Sequence, residues 1–249
     1  MTDFNHTRWA DKEFAKQYID NADIYIVERQ RMFGIMRSCI SRFIAGKKRA
    51  RVLDLGCGDG IVTANILDVD NSISATLVDA SADMLKKAKD RFKECEKIDY
   101  IRASFQEVIK NGLPEKDYDI VVSSMAIHHL SMNEKQEFFK AINAHLRNGG
   151  HFINVDVVLP PTGELDAWYM QLWEEWMDEK RAELKAFDEP SCDVIARYKE
   201  GAENQPGTLD DQLNALRFAG FGDVDCYYKY GIFTVYGGTK EGVSYFPDI

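Results

Sequence analysis

The sequence predicts an α/β fold with a mostly parallel sheet that carries helices on both faces. Segments with strand-like and helix-like patterns alternate from Arg51 to Leu159. The strand-like segments, such as "ARVLDLG" and "YDIVVSSMAI", are apolar almost without interruption, which is typical of parallel strands covered on both sides. In such sheets, ligands bind at the carboxyl ends of the strands, near the point where the strand order reverses.

Each element follows from a local pattern. The five strands are "ARVLDLG", "SISATLVDAS", "KIDYIRAS", "YDIVVSSMAI" and "HFINVDVVL". Helices are expected between them; "SADMLKKAKDRFKE", for example, begins with a serine cap and continues with apolar residues at helical spacing. After them, "TLDDQLNALRFAGFGDVDCYYKYGIFTVYGGTK" predicts a capped helix and two strands around Gly231, an antiparallel hairpin that ends the sheet.

Two regions depart from the alternation. Residues 1–45 have helical periodicity but precede the first strand, so we expect an N-terminal helical cap. Residues 160–207 are acidic and aromatic, are bounded by proline and glycine, and are expected to form a helical insertion that acts as a lid. A length of 249 residues favours a single domain, 1–249, that includes both regions, with two small domains as the alternative.

The charge balance argues against a nucleic-acid partner. Lys and Arg number 31 against 41 Asp and Glu, which gives a net charge of −10. Such a chain lacks the basic field on which most non-specific nucleic-acid affinity depends. The basic residues between Lys47 and Arg51 are interpreted as a solvated loop before the first strand. A small-molecule substrate is therefore expected, and the composition leaves the oligomeric state open.

Cysteine usage and the first residues of the chain indicate a compartment. The five cysteines are never spaced as C-x-x-C, which favours a reducing environment and argues against a disulfide framework or a zinc ribbon. The opening "MTDFNHTRWADKEF" lacks the apolar stretch of a signal peptide, and no run approaches the ~18 apolar residues of a membrane span. We therefore expect a cytoplasmic protein without a membrane segment.

The stretch "VLDLGCGDG" indicates a nucleoside site. Gly56 and Gly58 follow the first strand, where glycine allows a ligand to lie against the backbone and the next helix. Asp79 ends the second strand, 21 positions after Gly58, where a carboxylate can accept bonds from both ribose hydroxyls.

The spacing distinguishes this site from that of a dinucleotide-binding dehydrogenase. The dehydrogenase pattern G-x-G-x-x-G requires a glycine where this chain has Ile61. Asp54, inside the first strand, is poorly placed beside a pyrophosphate but can reach an ammonium group, directly or through water. The predicted ligand is therefore a nucleoside with a cationic tail.

Four motifs in order resemble those of the class I S-adenosylmethionine-dependent methyltransferases. They are "VLDLGCGDG", "LVDAS", "DYDIVVSSMAIHHL" and "LRNGGHFINVD", and the resemblance extends from about Arg51 to Lys240. The segment "LNALRFAGF" and the hairpin are similar to the small-molecule branch known as type 11 or type 12. The resemblance implies a Rossmann-like, seven-stranded sheet of order 3-2-1-4-5-7-6 with strand seven antiparallel, S-adenosylmethionine as cofactor and S-adenosylhomocysteine as product.

The resemblance also implies which residues bind the cofactor. Residues at the first strand would hold the methionine tail, those at the second the ribose and adenine, those at the third the adenine, and those at the fourth the methionine moiety. Where many family members have an acid after strand three, this chain has "ASF", so a serine and the next backbone group would replace it. In chain order the residues are Asp54, Gly56, Cys57, Gly58, Asp79, Ala80, Met84, Ser104, Phe105, Ser124 and Met125.

The adjacent histidines after strand four are the candidates for chemistry. His128 could act as a general base toward a hydroxyl or amine of the substrate, or it could pack beneath the cofactor. A metal site is not expected, because neighbouring histidines cannot easily face one ion and no ligand cluster follows. Cys57 is interpreted as a small filler of the turn and not as a nucleophile.

The acceptor pocket is expected between the cap, the end of strand five and the insertion. Its candidate residues are Tyr18, Tyr25, Asp156, Trp173 and Trp176. An acidic, indole-rich lid would favour a cationic or aromatic acceptor, although a stripe at helical spacing is more often core.

Three functions remain open from the sequence. The leading one is methyl transfer to a small molecule at O, N, C or S. The long insertion also resembles the carboxy-S-adenosylmethionine synthases, which modify the cofactor itself. A non-catalytic module that binds the nucleoside and regulates a partner is the third.

Overall fold

A seven-stranded sheet is the centre of the fold. The structure, a computed structural model, describes residues 7–186 and 189–241. The strand order β3-β2-β1-β4-β5-β7-β6 confirms the predicted order. The strands are β1 (Arg51–Leu55), β2 (Ser74–Asp79), β3 (Ile98–Arg102), β4 (Tyr118–Ser124), β5 (Leu146–Val157), β6 (Phe221–Tyr230) and β7 (Phe233–Lys240).

Pairing within the sheet is parallel except at one strand. β1 pairs in parallel with β2 and β4, β2 with β3, and β4 with β5. β7 is antiparallel to both β5 and β6. The hairpin that joins β6 to β7 turns at Gly231, whose φ of +54° lies in the left-handed region that favours glycine. The predicted antiparallel strand seven is confirmed.

Helices cover the sheet, and several begin at the caps that the sequence predicts. Ser81 accepts a hydrogen bond from the Met84 N–H, and Thr208 forms a reciprocal capping box with Asp211. Within the described residues, short 3₁₀ turns at Arg8–Ala10 and Ile127–His129 accompany the helices. The helices are α1 (Lys12–Asp20), α2 (Ala22–Tyr25), α3 (Arg29–Ile44), α4 (Ile61–Leu67), α5 (Ala82–Arg91), α6 (Phe105–Asn111), α7 (Met132–His145), α8 (Gly163–Leu184), α9 (Ser191–Glu200) and α10 (Leu209–Phe218).

Two hydrophobic cores lie on opposite faces of the sheet. One joins α3, α4, α5 and α8 to alternate residues of the central strands, including Val52, Ile120 and Ile153. The other joins α6, α7 and α10 to the residues between them, including Leu53 and Val121. Because successive strand residues point to opposite faces, both sets are buried and the strands read as continuous apolar runs.

The N-terminal cap and the insertion pack on the same face of the sheet. Residues of α3 and α8, among them Met36 and Met177, belong to one core with the central strands. The Trp173 indole N–H donates to the Tyr25 carbonyl at 2.8 Å, which joins α8 directly to α2. Within residues 7–186 and 189–241, no helix is long and apolar enough to cross a membrane.

The basic run before β1 is only partly solvated. Lys48 and Arg49 are exposed, but the Lys47 ammonium lies 2.8 Å from a carboxylate oxygen of the buried Asp119. Asp119 also accepts from the Arg51 backbone N–H at 2.8 Å and pairs with Arg147 at 2.7 Å. The interpretation as a wholly solvated loop is therefore incomplete, because Lys47 neutralises a buried acid.

Gly60, at the start of α4, provides a test of this packing. Its φ is +82°, and a Cβ there would lie 2.6 Å from a ring carbon of Phe92. We expect Gly60→Ala to lower the free energy of unfolding by about 2 kcal/mol or more, because left-handed strain and overpacking add. Urea unfolding measures the effect.

Gly163→Ala is the matched control for Gly60→Ala. Gly163 is exposed at the start of α8, and a Cβ there would meet no atom within 4 Å. A change of about 0.5 kcal/mol or less is expected. Equal effects of the two substitutions would contradict the packing described.

Candidate functional site

A cavity of about 230 Å³ opens at the carboxyl ends of β1, β2 and β4. This is the edge of the sheet where the strand order reverses, because β2 and β4 flank β1. Most of the residues that the sequence analysis assigned to the cofactor meet in its wall. They are Gly56, Cys57, Gly58, Asp79, Ala80, Met84, Ser104, Phe105, Ser124 and Met125, together with Tyr18.

The glycine turn after β1 folds tightly against its neighbours. The N–H groups of Gly56 and Cys57 both donate to the Val78 carbonyl, at 2.8 and 3.1 Å. Gly56 has a φ of +70°, and a Cβ there would lie 2.7 Å from the Ala126 Cβ. Glycine at this position therefore allows both the turn and the approach of the segment that follows β4.

Asp79 connects the glycine turn to the start of α5. Its Oδ2 accepts from the Gly58 N–H and its Oδ1 accepts from the Ser81 N–H, each at 2.8 Å. Burial raises the pKa of Asp79, and these two hydrogen bonds partly offset the shift. Each carboxylate oxygen keeps acceptor capacity, so the group can still receive the hydroxyls of a ribose.

Asp54 lies buried in β1, and one of its oxygens has no partner. Oδ2 accepts from the Thr63 hydroxyl at 2.7 Å. Oδ1 is buried without a hydrogen-bond partner among the described residues. Burial raises the pKa of Asp54 to about 7, with the Thr63 bond acting in the opposite direction and nearby Asp79 adding to the rise. An unpaired buried carboxylate oxygen is costly unless a ligand or water satisfies it.

The chain leaves β4 in a strained conformation beside the cavity. Met125 has a φ of +51°, which is uncommon for a residue with a side chain. Its N–H donates to the Val155 carbonyl at 2.7 Å, so β5 holds the conformation in place. Strain of this kind is concentrated at ligand sites, where surrounding structure maintains it.

Ser104 and Phe105, which were expected to bind the adenine through the serine and the next backbone group, have other contacts. Ser104 caps α6, and both its N–H and its hydroxyl donate to Glu107, at 2.7 and 2.8 Å. The serine hydrogens that could reach an adenine are thus engaged in the cap. The Phe105 ring lies 4.5 Å from that of Phe138 and forms an apolar part of the wall.

His128 and Asp156 form a buried pair behind the wall. The His128 Nδ1–H donates to Asp156 Oδ1 at 2.6 Å, and the His128 backbone N–H donates to Oδ2 at 2.9 Å. Burial alone would raise the pKa of Asp156, but His128 and these bonds lower it below its ordinary value. Neither side chain is among those that line the cavity.

His129, not His128, is the histidine in the cavity wall. Its Nε2 accepts from the Trp9 indole N–H at 2.8 Å, and its Nδ1 lies 3.1 Å from the Glu203 carbonyl. These contacts require a neutral ring protonated at Nδ1. Burial, with His128 adding to the effect, lowers the pKa of His129 to about 3. Trp9 and Glu203 also line the cavity, and the sequence analysis did not identify either of them.

The other predicted acceptor residues divide into two groups. Tyr18 lies in the wall, with its ring centre 4.9 Å from that of Trp9. Tyr25 is buried and donates to Glu189 Oε2 at 3.1 Å. Trp173 is buried in the core and Trp176 is partly buried against it, and none of these last three lines the cavity.

The cavity fits the ligand that the sequence predicts. The turn at Gly56 and Gly58 leaves room for a ligand against the backbone, and Asp79 suits a ribose. Asp54 does not line the cavity, but its unpaired oxygen, buried in β1 just before the turn, suits a cationic tail reached directly or through water. The apolar wall contains Ala80, Met84 and Phe105, which suit a purine ring.

The chain is similar to methyltransferases of known sequence. Residues 52–150 match a family model described as a methyltransferase domain. A malonyl-[acyl-carrier protein] O-methyltransferase from Ilyobacter polytropus is 29% identical over 66% of this chain and 55% of its own. A carboxy-S-adenosyl-L-methionine synthase from Nautilia profundicola is 18% identical over 91% of this chain and 92% of its own. The chain spans about half the length of the first curated relatives that it matches, between 46% and 64%.

Solved structures share the fold. Human N-acetylserotonin methyltransferase in complex with SAM superposes with a TM-score of 0.61 at 17% identity, covering 94% of this chain and 58% of that one. A carbon methyltransferase, CurJ, superposes with a TM-score of 0.65 at 15% identity, covering 92% and 59%. The fold, the cavity and the family model agree. Residues 52–150 thus match a methyltransferase domain, and the chain as a whole has the fold of solved methyltransferases.

Proposed function

We propose that the protein transfers a methyl group from S-adenosylmethionine to a small-molecule acceptor at O, N, C or S, with S-adenosylhomocysteine as the product. The observation that carries the proposal is the cavity in which the glycine turn and Asp79 meet at the switch point of the sheet. The unpaired Asp54 oxygen is buried in β1, two residues before Gly56. The chain would act as one domain, because the described residues of the N-terminal cap and of the insertion pack on the same core.

Different residues of the site would bind different parts of the cofactor. Asp54 would hold the ammonium group of the tail, directly or through water, and the turn at Gly56 and Gly58 would lie beside it. Asp79 would accept from the ribose hydroxyls. Bound S-adenosylmethionine supplies a methyl group that its sulfonium already activates.

The residues of the chain would position the acceptor against the methyl group and exclude water from the two. Methyl transfer from a sulfonium is an in-line displacement, and holding the reacting atoms ~3 to 3.5 Å apart is worth ~7 to 11 kcal/mol at best. Trp9, Tyr18 and His129 form a wall with few free polar groups, which suits an acceptor held away from water.

A general base is needed only for an acceptor that arrives protonated. His128 is the candidate, because its bond to Asp156 holds the proton on Nδ1 and leaves Nε2 to receive another. The side chain lies behind the cavity wall, so this role requires an acceptor group that reaches past His129.

The expected partners and compartment follow from charge and cysteines. A net charge of −10 does not favour a nucleic-acid substrate. All five cysteines are free thiols, as a cytoplasmic location would require.

A second candidate function is the synthesis of a carboxylated cofactor. It is favoured by the relative named carboxy-S-adenosyl-L-methionine synthase, which matches this chain over nearly its whole length. Mass spectrometry of nucleoside retained by the purified protein separates the two candidates, because a carboxylated sulfonium is heavier than S-adenosylmethionine.

Thermal-shift titration tests the binding of the cofactor. At a ligand concentration ~100 times Kd, S-adenosylmethionine and S-adenosylhomocysteine should each stabilise the protein by ~2.7 kcal/mol, or roughly 5 to 10 °C, and NAD should not. Asp79→Ala should reduce the ligand-induced shift by more than half, because the ribose loses its acceptor. The quantity compared is the ligand-induced change in Tm and not the Tm itself. Asp79 also accepts hydrogen bonds from two backbone N–H groups, so its replacement lowers the Tm of the free protein as well.

Asp99→Ala is the matched control for Asp79→Ala. Asp99 is an exposed acid on the neighbouring strand β3 and does not line the cavity. The control should keep the full ligand-induced shift. Stabilisation by NAD alone, or an unchanged shift in Asp79→Ala, would overturn the assignment.

Binding should also depend on pH through Asp54. Because the pKa of Asp54 is raised to about 7 in the free protein, the group must lose a proton below that pH before it can pair with the ammonium of the tail. S-adenosylhomocysteine should therefore bind roughly tenfold more weakly at pH 6 than at pH 8. Isothermal calorimetry at both pH values measures this ratio.

Two controls isolate the contribution of Asp54. Asp54→Asn should remove the pH dependence. 5′-Methylthioadenosine, which lacks the amino-acid tail, should bind the natural protein equally at the two pH values. An equal pH dependence for both ligands would show that another group titrates.

A further inference from the structure

The charged side chains of the cavity wall are not equally available to bind a ligand. Arg29 is the one arginine or lysine among the described residues that line the cavity. Four acids of the wall already have partners: Asp59 pairs with Arg91, Asp79 with two backbone N–H groups, Glu134 with Ser131, and Glu203 with Arg8.

The guanidinium of Arg29 keeps donors that no described residue uses. Its Nη1 lies 3.0 Å from a carboxylate oxygen of Asp23, whose side chain is 56% exposed, whereas that of Arg29 is 15% exposed. Its Nε is buried and has no hydrogen-bond partner in the described part of the chain. The group lies over the Phe33 ring, 5.0 Å from its centre, so packing holds it in place.

Arg29 lies in the part of the cavity wall that the N-terminal cap forms. It is the first residue of α3, in the N-terminal cap, and the cap also contributes Trp9, Tyr18 and Ile26 to the wall. Burial raises the pKa of Tyr18, whereas Arg29 lowers it and Asp156 raises it, so both charges lie within electrostatic reach of the Tyr18 hydroxyl. Asp156 is near the end of β5, which β4 separates from β1 in the sheet.

The start of α3 adds to the positive character of this wall. Glu28 precedes the helix in a left-handed conformation and makes no side-chain cap, and the first turn contains no acid. The N-terminal N–H groups of a helix carry partial positive charge when no side chain caps them.

We propose that Arg29 binds a carboxylate of the methyl acceptor in the part of the cavity wall formed by the N-terminal cap, an inference that rests on the proposed function. A guanidinium donates two parallel hydrogen bonds to a carboxylate, and the buried Nε supplies a donor that Asp23 does not use. The aromatic rings of Trp9 and Tyr18 would contact the apolar part of such an acid.

This inference reverses the expected charge of the acceptor. The sequence analysis predicted a cationic or aromatic acceptor from the acidic, indole-rich insertion. Trp173 and Trp176 do not line the cavity, and neither do the acids of α8. The insertion contributes one acid to the wall, Glu203, and that acid is paired with Arg8, so the wall offers an acceptor the cation of Arg29.

Isothermal calorimetry on the protein saturated with S-adenosylhomocysteine tests the inference. The probes are benzoate and phenylacetate, each compared with its neutral amide, benzamide or phenylacetamide. The acids should bind about tenfold or more tightly than the amides, because only the acids accept charge-assisted bonds. Arg29→Gln should abolish this preference, and Arg29→Lys should keep part of it.

Arg31→Gln is the matched control, because Arg31 is exposed on the same helix and does not line the cavity. It should retain the preference for acids. Retention of S-adenosylhomocysteine binding by Arg29→Gln shows that the variant is folded. If no acid binds better than its amide, or if Arg29→Gln keeps the preference, the inference is overturned.

The amino-acid tail of the cofactor also carries a carboxylate. A second comparison distinguishes binding of that carboxylate from binding of the acceptor's. If Arg29 binds the tail of the cofactor instead, Arg29→Gln should weaken S-adenosylhomocysteine and leave 5′-methylthioadenosine unchanged, which would overturn the assignment to the acceptor. Failure of the natural protein to bind S-adenosylhomocysteine would refute the proposed function separately. The preference for acids would then be scored on the free protein by the same criterion.

Discussion

The two hydrogen bonds of the Asp79 carboxylate are the constraint on which the site depends. One bond holds the Gly58 N–H of the turn after β1, and the other holds the Ser81 N–H at the start of α5. A single side chain thereby sets the distance between the two segments that would enclose a nucleoside. The carboxylate is partly buried in this position, and burial raises its pKa. The group that shapes the empty site is thus the same one that would contact the ribose.

The remainder of the cavity wall is assembled from distant parts of the chain. Trp9 of the N-terminal cap, His129 after β4 and Glu203 at the end of the insertion are joined by hydrogen bonds across 120 and 74 residues of sequence. The bond between Trp173 and Tyr25 joins the insertion to the cap on the same face of the sheet. The acceptor side is therefore a tertiary construction, whereas the cofactor side is built from local turns.

This difference explains how much the sequence could predict. The strand order and the cofactor wall follow from short motifs such as the turn at Gly56, where backbone torsion limits the choice of residue. Trp9, Arg29 and His129 carry no such local signature, because their positions depend on which segments pack together. The aromatic residues at helical spacing around Trp173 are another example. Helical spacing identifies the buried face of a helix, but it does not indicate whether that face contacts the core or a ligand.

The position of β7 has a consequence for synthesis of the chain on the ribosome. β7 is the last strand in sequence but lies between β5 and β6 in the sheet. Until residue 240 has emerged, β5 presents an unpaired edge along a strand whose second half is wholly buried in the finished protein. Exposed apolar edges of this kind recruit other chains. A nascent chain that stalls before β7 is therefore a natural client for chaperones, while its cofactor side, which depends on β1, β2 and β4, is already encoded.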